Sequence, residues 1–175
     1  NGNESSVAQS RGGAKGSIDQ EGVGVPFIIS GPSVVNPNRV SDALVSTHDL
    51  FATILELFGY TNWPSQIPAN KPVDSRSILP ILKNQLTGVR SWVFTEVFKN
   101  PSVAGDGKTM RNEEYKLLDF DNGSQKFFHI SIDPTESNDL LLGTMNATAM
   151  SNYTTLCTEM TNLVGTGGFC NLTTP

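Results

Sequence analysis

Basic charge, long apolar runs, histidine and cysteine are all scarce in this 175-residue sequence. Lys and Arg total 12 against 17 Asp and Glu, a net charge of −5. No basic stripe is available to neutralise a phosphate backbone, which excludes nucleic acid as the main partner. The apolar runs fall far short of the roughly 20 residues a helical membrane span needs, so no membrane span is expected. With 2 His and 2 Cys, a zinc cage of four nitrogen and sulfur ligands has no material near the cysteine pair. Cys157 and Cys170 instead read in two ways: as a disulfide formed in an oxidising compartment, its loop closure contributing about 3 kcal/mol, or as two core thiols.

The remaining composition is that of an ordinary, loop-rich globular chain, with 37% hydrophobic residues, 16 Gly and 10 Pro. A chain of this length buries roughly 70% of its unfolded surface, enough for a proper core. Residues 1–24 are glycine-rich with Lys15 at the centre. Val25 to Ser30 is a short apolar run closed by Gly31-Pro32 and reads as a buried strand. Phe51, Ile54, Leu55 and Phe58 keep the i, i+3, i+4, i+7 spacing of a helix over 47–58. Ser46 or Thr47 would cap it, Asp49 suits the positive end of its dipole, and Gly59 would stop it.

Residues 61–75 read as a surface connection and 77–82 as a helical turn. Trp92–Phe98, Glu114–Phe120 and Lys126–Ile132 read as strands, the last two joined by a turn at Asp121–Ser124. Asn100–Lys108 reads as a flexible loop, and 146–163 as a helix burying Ala149, Tyr153, Leu156, Met160 and Leu163. The pattern predicts a mixed α/β to α+β chain in which one strand and helix of an α/β layer precede a small antiparallel sheet with a C-terminal helix. The expected division is 1–90 and 91–175. Asn-x-Ser/Thr sequons begin at Asn3, Asn122, Asn146, Asn152 and Asn171 and matter only in a eukaryotic secretory pathway.

Four motifs, in order, carry a family resemblance. Lys15-Gly16 through Glu21-Gly22 to Pro26 resembles the lysine loop of sulfatases, with the lysine-to-proline spacing kept. Val40-Ser41-Asp42-Ala43-Leu44-Val45-Ser46 leading to Asp49-Leu50-Phe51 is similar to the start of a family helix. Arg111 with Tyr115-Lys116-Leu117-Leu118 matches a family strand. Phe127-Phe128-His129-Ile130 followed by Asp133-Pro134, Glu136 and Asn138 matches the segment after it. Glu21 and Gly24 depart from the family's glycine and arginine, and Ala52 from its proline. The resemblance spans roughly residues 1–142 and identifies the chain as the C-terminal portion of a sulfatase of the alkaline-phosphatase superfamily. It implies that the α/β layer is a remnant of that superfamily's large sheet, whose residues 1–90 end the catalytic domain.

The resemblance further implies hydrolysis of a sulfate ester by formylglycine and a divalent cation, Ca2+, in the intact enzyme. Lys15 takes the place of the sulfate-binding lysine, although a lone lysine is ordinarily solvated. Asn1 takes the place of a metal-ligating asparagine, although Asn-Gly is also a common turn dipeptide. The implied partners are the sulfate-ester substrate and the N-terminal catalytic portion of the same protein, in a periplasmic or secreted setting. The chain itself lacks the nucleophile. Ser30-Gly31-Pro32-Ser33 begins like the formylglycine motif, but Val34 stands where its arginine is required. His48 and His129 read as structural histidines, Asp49 and Glu56 as a cap-side charge and a solvated face. Two other readings stay open: a phosphonate or phosphodiester hydrolase of the same superfamily, and a noncatalytic secreted glycan-binding module using Trp63 or Trp92.

Overall fold

A computed structural model describes residues 16–98 and 105–165 of the chain. Asn1, Lys15 and Cys170 lie outside the described residues. The described residues group into two compact units. One is built from the segment up to Pro26 together with everything from Phe94 onward, the other from Phe27–Val93.

The second unit is organised by helix α2, Asp49–Leu57. Its end is the one Gly59 promised. Gly59 takes φ 83°, its N–H reaches the Glu56 carbonyl at 3.0 Å, and Tyr60 N–H reaches Leu55 at 2.8 Å. This paired arrangement satisfies the last carbonyls and needs a left-handed residue. The start differs from expectation. Neither Ser46 nor Thr47 caps the helix; Asp49 Oδ2 instead accepts from the Ser46 N–H at 2.8 Å, reversing the expected donor and acceptor.

The buried face of α2 is also reversed. Asp49, Ala52 and Thr53 are buried, while Phe51, Ile54 and Phe58 are exposed, the last at 84%. Hydrogen bonds hold the polar face inward. Ser75 Oγ donates to the His48 carbonyl at 2.7 Å and accepts from the Ala52 N–H at 3.0 Å. Thr53 Oγ1 accepts from the Ile78 N–H at 3.0 Å. The segment 75–78, leading into the single-turn helix α3 (Leu79–Leu82), is thereby laced onto α2.

Residues 25–30 are not a strand. They run as irregular chain, with Phe27 exposed and Ile28 exposed at 90%. An apolar run becomes a strand only by finding a ladder partner, and among the described residues none lies beside it. Pro26 also removes a donor.

The first unit holds a sheet of four strands in the order β1-β2-β3-β4: Val93–Val97, Gly107–Arg111, Lys116–Phe120 and Gln125–Phe128. Strands β2 and β3 pair antiparallel with Met110 opposite Leu117, and β3 and β4 pair antiparallel with Leu117 opposite Phe127. The small antiparallel sheet followed by a C-terminal helix is borne out. Strand β2 was not expected: it begins inside the stretch read as a flexible loop. Gly107 explains its fit, because a Cβ there would lie 2.4 Å from the Asp119 carbonyl oxygen and 2.8 Å from Phe120 Cα. Strand β4 ends at Phe128 rather than Ile132, since His129–Ile132 turn back on themselves through bonds from Ile132 and Asp133 N–H to the His129 carbonyl.

Helix α4, Ala147–Val164, covers one face. Asn146 caps it, accepting from the Ala149 N–H at 2.8 Å. Its threonines at 154, 155, 158 and 161 each return their hydroxyl to the carbonyl four residues back, which reconciles a threonine-rich sequence with a helix. Tyr153 packs edge-on against Phe127, with centroids 5.3 Å apart, and Phe127 in turn stacks on Tyr115. Met160 and Cys157 are buried below, Cys157 in a disulfide. Leu163, expected on the same face, is exposed. A second cluster is formed by Ile18, Leu118, Phe128 and Ile130, with Val97 and Phe120 against it.

Candidate functional site

The two residues the sequence singles out for catalysis and metal binding, Lys15 and Asn1, are outside the described part. What the structure does show is how the chain immediately after Lys15 is held. Gly16 takes φ 74°, a left-handed conformation that suits glycine. Ile18 is fully buried in the cluster with Leu118 and Phe128. Two residues on, the Gln20 N–H at the start of helix α1 (Gln20–Val23) donates to Glu136 Oε2 at 2.8 Å.

Glu136 is the centre of this anchor. Its other carboxylate oxygen, Oε1, lies 2.7 Å from Lys116 Nζ, and the Lys116 side chain is 0% exposed. Lys116 and Leu118 are two apart on β3, so they share one face of the sheet, the face that receives Ile18. Glu136 reaches this position from a tight turn and takes φ 54°, uncommon for a residue with a side chain. Asp133 builds the turn: its carboxylate accepts from the N–H groups of Ser137 and Asn138, each at 2.8 Å. Asp133, Glu136 and Asn138 of the fourth motif thus act together, Asp133 folding the loop and Glu136 reaching inward from it. Burial pushes the Lys116 amine below its ordinary pKa, while Glu136 and Asp19 oppose the shift. Burial also lowers Arg111, against the charge of Glu136.

The helical unit has its own charged centre. Asp49, 1% exposed, accepts from the N–H of Ser46, from the N–H of Arg76 at 2.9 Å and from Arg90 Nε at 3.0 Å. The Arg90 terminal nitrogen completes a two-pronged ion pair. Burial would raise this carboxyl, but the bonds from Arg90, Arg76 and Ser46 outweigh it and hold the pKa below the ordinary value.

His48 lies beside this centre in what resembles a catalytic constellation. Its Nδ1 is 3.0 Å from Ser46 Oγ, and its Nε2 is 3.8 Å from Asp74 Oδ2. Arg90 decides the chemistry. A guanidinium only donates, and its nitrogen is 3.1 Å from Nε2, so Nε2 is the acceptor and Nδ1 carries the proton. The ring therefore donates to Ser46 and cannot take its proton, and the group does not activate a nucleophile.

His129 stacks at a tilt on Tyr115, with centroids 4.3 Å apart, and its Nδ1 is 3.0 Å from Ser131 Oγ. Tyr115 and His129 line a shallow cavity of about 220 Å³ with Asp133, Asn138, Met145 and Asn146. Trp63 packs edge-on against Phe51 and approaches Glu56. Ser30 is exposed on irregular chain. Among the described residues no group of three His, Cys, Asp or Glu side chains could hold a metal ion.

Sequence reasoning missed the buried roles of Lys116, Glu136 and Arg90. A lysine within a strand is ordinarily read as solvent-facing, and Arg90 is 41 residues from its partner. The available signal was the recurrence of Lys116 and Glu136 in two consecutive motifs.

Comparison with known proteins identifies the family. The sequence profile of the family described as N-sulphoglucosamine sulphohydrolase, C-terminal, matches residues 14–163, extending past residue 142 into α4. A sulfatase of Formosa agariphila is 30% identical over 138 residues, covering 73% of this chain and 24% of that protein. Mouse steryl-sulfatase is 31% identical over 71 residues, 41% of this chain and 11% of the relative. The chain thus spans a quarter or less of these curated relatives. In structure, a 2-O GAG sulfatase superposes with a TM-score of 0.63 at 21% identity, covering 79% of this chain and 29% of that one. A protein solved with its substrate D-glucosamine-2-N,6-O-disulfate superposes with a TM-score of 0.51 at 19% identity, covering 65% and 23%. With six-sevenths of its length inside the family's profile, the chain belongs to the sulfatases, as a member of the N-sulphoglucosamine sulphohydrolase C-terminal family.

Proposed function

We propose that this chain supplies one wall of the active site of an enzyme that hydrolyses sulfate esters of sugars. In this reading Lys15 binds the sulfate group of the substrate, and the anchor at Glu136 fixes the backbone that follows it. The anchoring of Ile18 and Gln20 carries the proposal. An ammonium group stabilises charge spreading onto sulfate oxygens only if its backbone is held against displacement. Gln20 is tied by one hydrogen bond to a buried ion pair, and Ile18 by complete burial. A solvated surface lysine requires no such foundation. The neighbour solved with a sulfated glucosamine supports reading the substrate as a sulfated sugar.

Formylglycine and calcium would supply the nucleophile and the cation that holds the sulfate oxygens, both from the N-terminal catalytic portion, with Asn1 as one amide oxygen ligand. The described residues form no metal cage of their own. The exposed Ile54 and Phe58 of α2 are the surface that the N-terminal portion would cover. The isolated chain should therefore hydrolyse no sulfate ester. A periplasmic or secreted location suits the disulfide at Cys157.

In the full-length enzyme, Lys15→Ala should lower kcat/KM for a sulfated sugar by about 100- to 1,000-fold, the usual cost of removing one preorganised charge-stabilising group. Lys15→Arg should recover part of it. Unchanged kcat/KM in Lys15→Ala would remove the sulfate-binding role.

A further inference from the structure

Three sequons fall among the described residues, and the fold treats them differently. Asn122 is at the exposed tip of the β3–β4 hairpin. Gly123 takes φ 84° there, and the Gly123 N–H closes the turn on the Phe120 carbonyl at 2.9 Å. Asn122 Oδ1 accepts from the Ser124 N–H at 2.9 Å and from Ser124 Oγ at 2.7 Å. The hydroxyl of the sequon thus bonds the amide of its own asparagine. Oδ1 is engaged and, among the described residues, Nδ2 has no partner.

Asn152 is the opposite case. It is half-buried on α4, its Oδ1 accepts from Asn112 Nδ2 at 2.7 Å, and its own Nδ2 donates to the Thr148 carbonyl at 2.9 Å. The hydroxyl of its sequon, Thr154, is turned to the Met150 carbonyl at 2.9 Å. Asn146 is intermediate, exposed but committed through Oδ1 to capping α4.

We infer that Asn122 is an N-glycosylation site of the folded protein and that Asn152 is not. The disulfide at Cys157 independently indicates an oxidising compartment, such as the one in which N-glycans are attached. In the transfer, Asn122 Nδ2 attacks the anomeric carbon of a polyprenyl-diphosphate-linked oligosaccharide. The N–C bond forms as the C–O bond to diphosphate breaks; the diphosphate leaves with the bonding pair, and the amide nitrogen gives up one of its two protons to a base of the transferase. The product keeps Oδ1, so both bonds from Ser124 survive and the hairpin tip carries the sugar outward. At Asn152 a sugar would enter a half-buried contact between α4 and Asn112, and chains modified there would not reach the folded state.

The test is the full-length protein secreted from insect or mammalian cells, with site occupancy read by peptide N-glycosidase treatment in heavy-oxygen water and mass spectrometry. Asn122 should convert to labelled aspartate in most molecules and Asn152 in almost none. Asn122→Gln and Ser124→Ala should each remove one glycan from the electrophoretic mobility, Ser124→Thr should retain it, and Thr154→Ala should change nothing. Secreted protein with Asn122 unmodified, or with a glycan lost in Thr154→Ala but not in Ser124→Ala, would overturn the assignment.

Discussion

Among the described residues each unit holds a deeply buried ion pair, and the two are built on opposite principles. In the helical unit the more deeply buried partner is the anion. Asp49 draws backbone N–H donors from Ser46 and Arg76 besides the guanidinium of Arg90. In the sheet unit the buried group is a cation. Lys116 is closed in by Leu118 and its neighbours and answered by the carboxylate of Glu136. A carboxylate can be stabilised by the main chain, since N–H groups are plentiful wherever a helix begins. An ammonium group needs carbonyls or acids, and in a paired strand the carbonyls are committed. The first arrangement therefore gathers the start of α2 to residues 76 and 90 within the helical unit. The second ties distant segments, joining residues 20, 116 and 136.

The sharpest way to break this comparison is Asp49→Ala, which orphans Arg90 and two backbone donors together. It should cost about 3–5 kcal/mol in urea unfolding, the usual consequence of removing one partner from a buried pair. A loss below about 1 kcal/mol, the range of exposed pairs, would mean that the pair behaves as a surface one. The same centre fixes a pH dependence. Asp49 binds a proton less readily folded than unfolded, because its pKa is held below the ordinary 3.8. Its contribution is complete above that value and drains away as pH falls through the folded-state value. The acid limb of stability should flatten in Asp49→Asn.

For the sheet unit, Glu136→Ala should cost about 3–5 kcal/mol by leaving Lys116 buried and unpaired, whereas Lys116→Met with Glu136→Gln should fall near the parent. Thermal denaturation of Lys116→Met, Glu136→Gln and the double variant completes the cycle. If the double variant were as unstable as Glu136→Ala, the charges themselves, rather than the packing around them, would be what the unit requires. The smallest expected effect is at the cap of α4: Asn146→Ala should cost about 1 kcal/mol, visible as a modest fall in Tm.

Much of the architecture was legible because local chemistry and tertiary context agree. Gly59 must stop α2 and Asp121–Ser124 must turn, whatever surrounds them. The errors share one cause. Val25–Ser30 has the composition of a strand, but a ladder partner cannot be read from composition. The spacing in α2 marks a face without saying what it packs against. There Asp49, Thr53 and Ser75 turned the polar side inward, because their hydrogen bonds to residues 75–78 and Arg90 are non-local. Strand β2 stayed hidden for the converse reason: Gly107 and Lys108 have weak strand preference, and pairing with β3 makes the segment a strand. The family was legible as motif order, whereas the linkage of Lys116 to Glu136 required coordinates.

The absent side chain at Gly107 bears on how mutational maps of this protein should be read. With the Asp119 carbonyl and the Phe120 backbone filling the space any Cβ would need, codon 107 should stand out in a saturation library as intolerant of every replacement. That intolerance would report a crossing of two main chains with no room to spare, and a ligand sought beneath it would not be found.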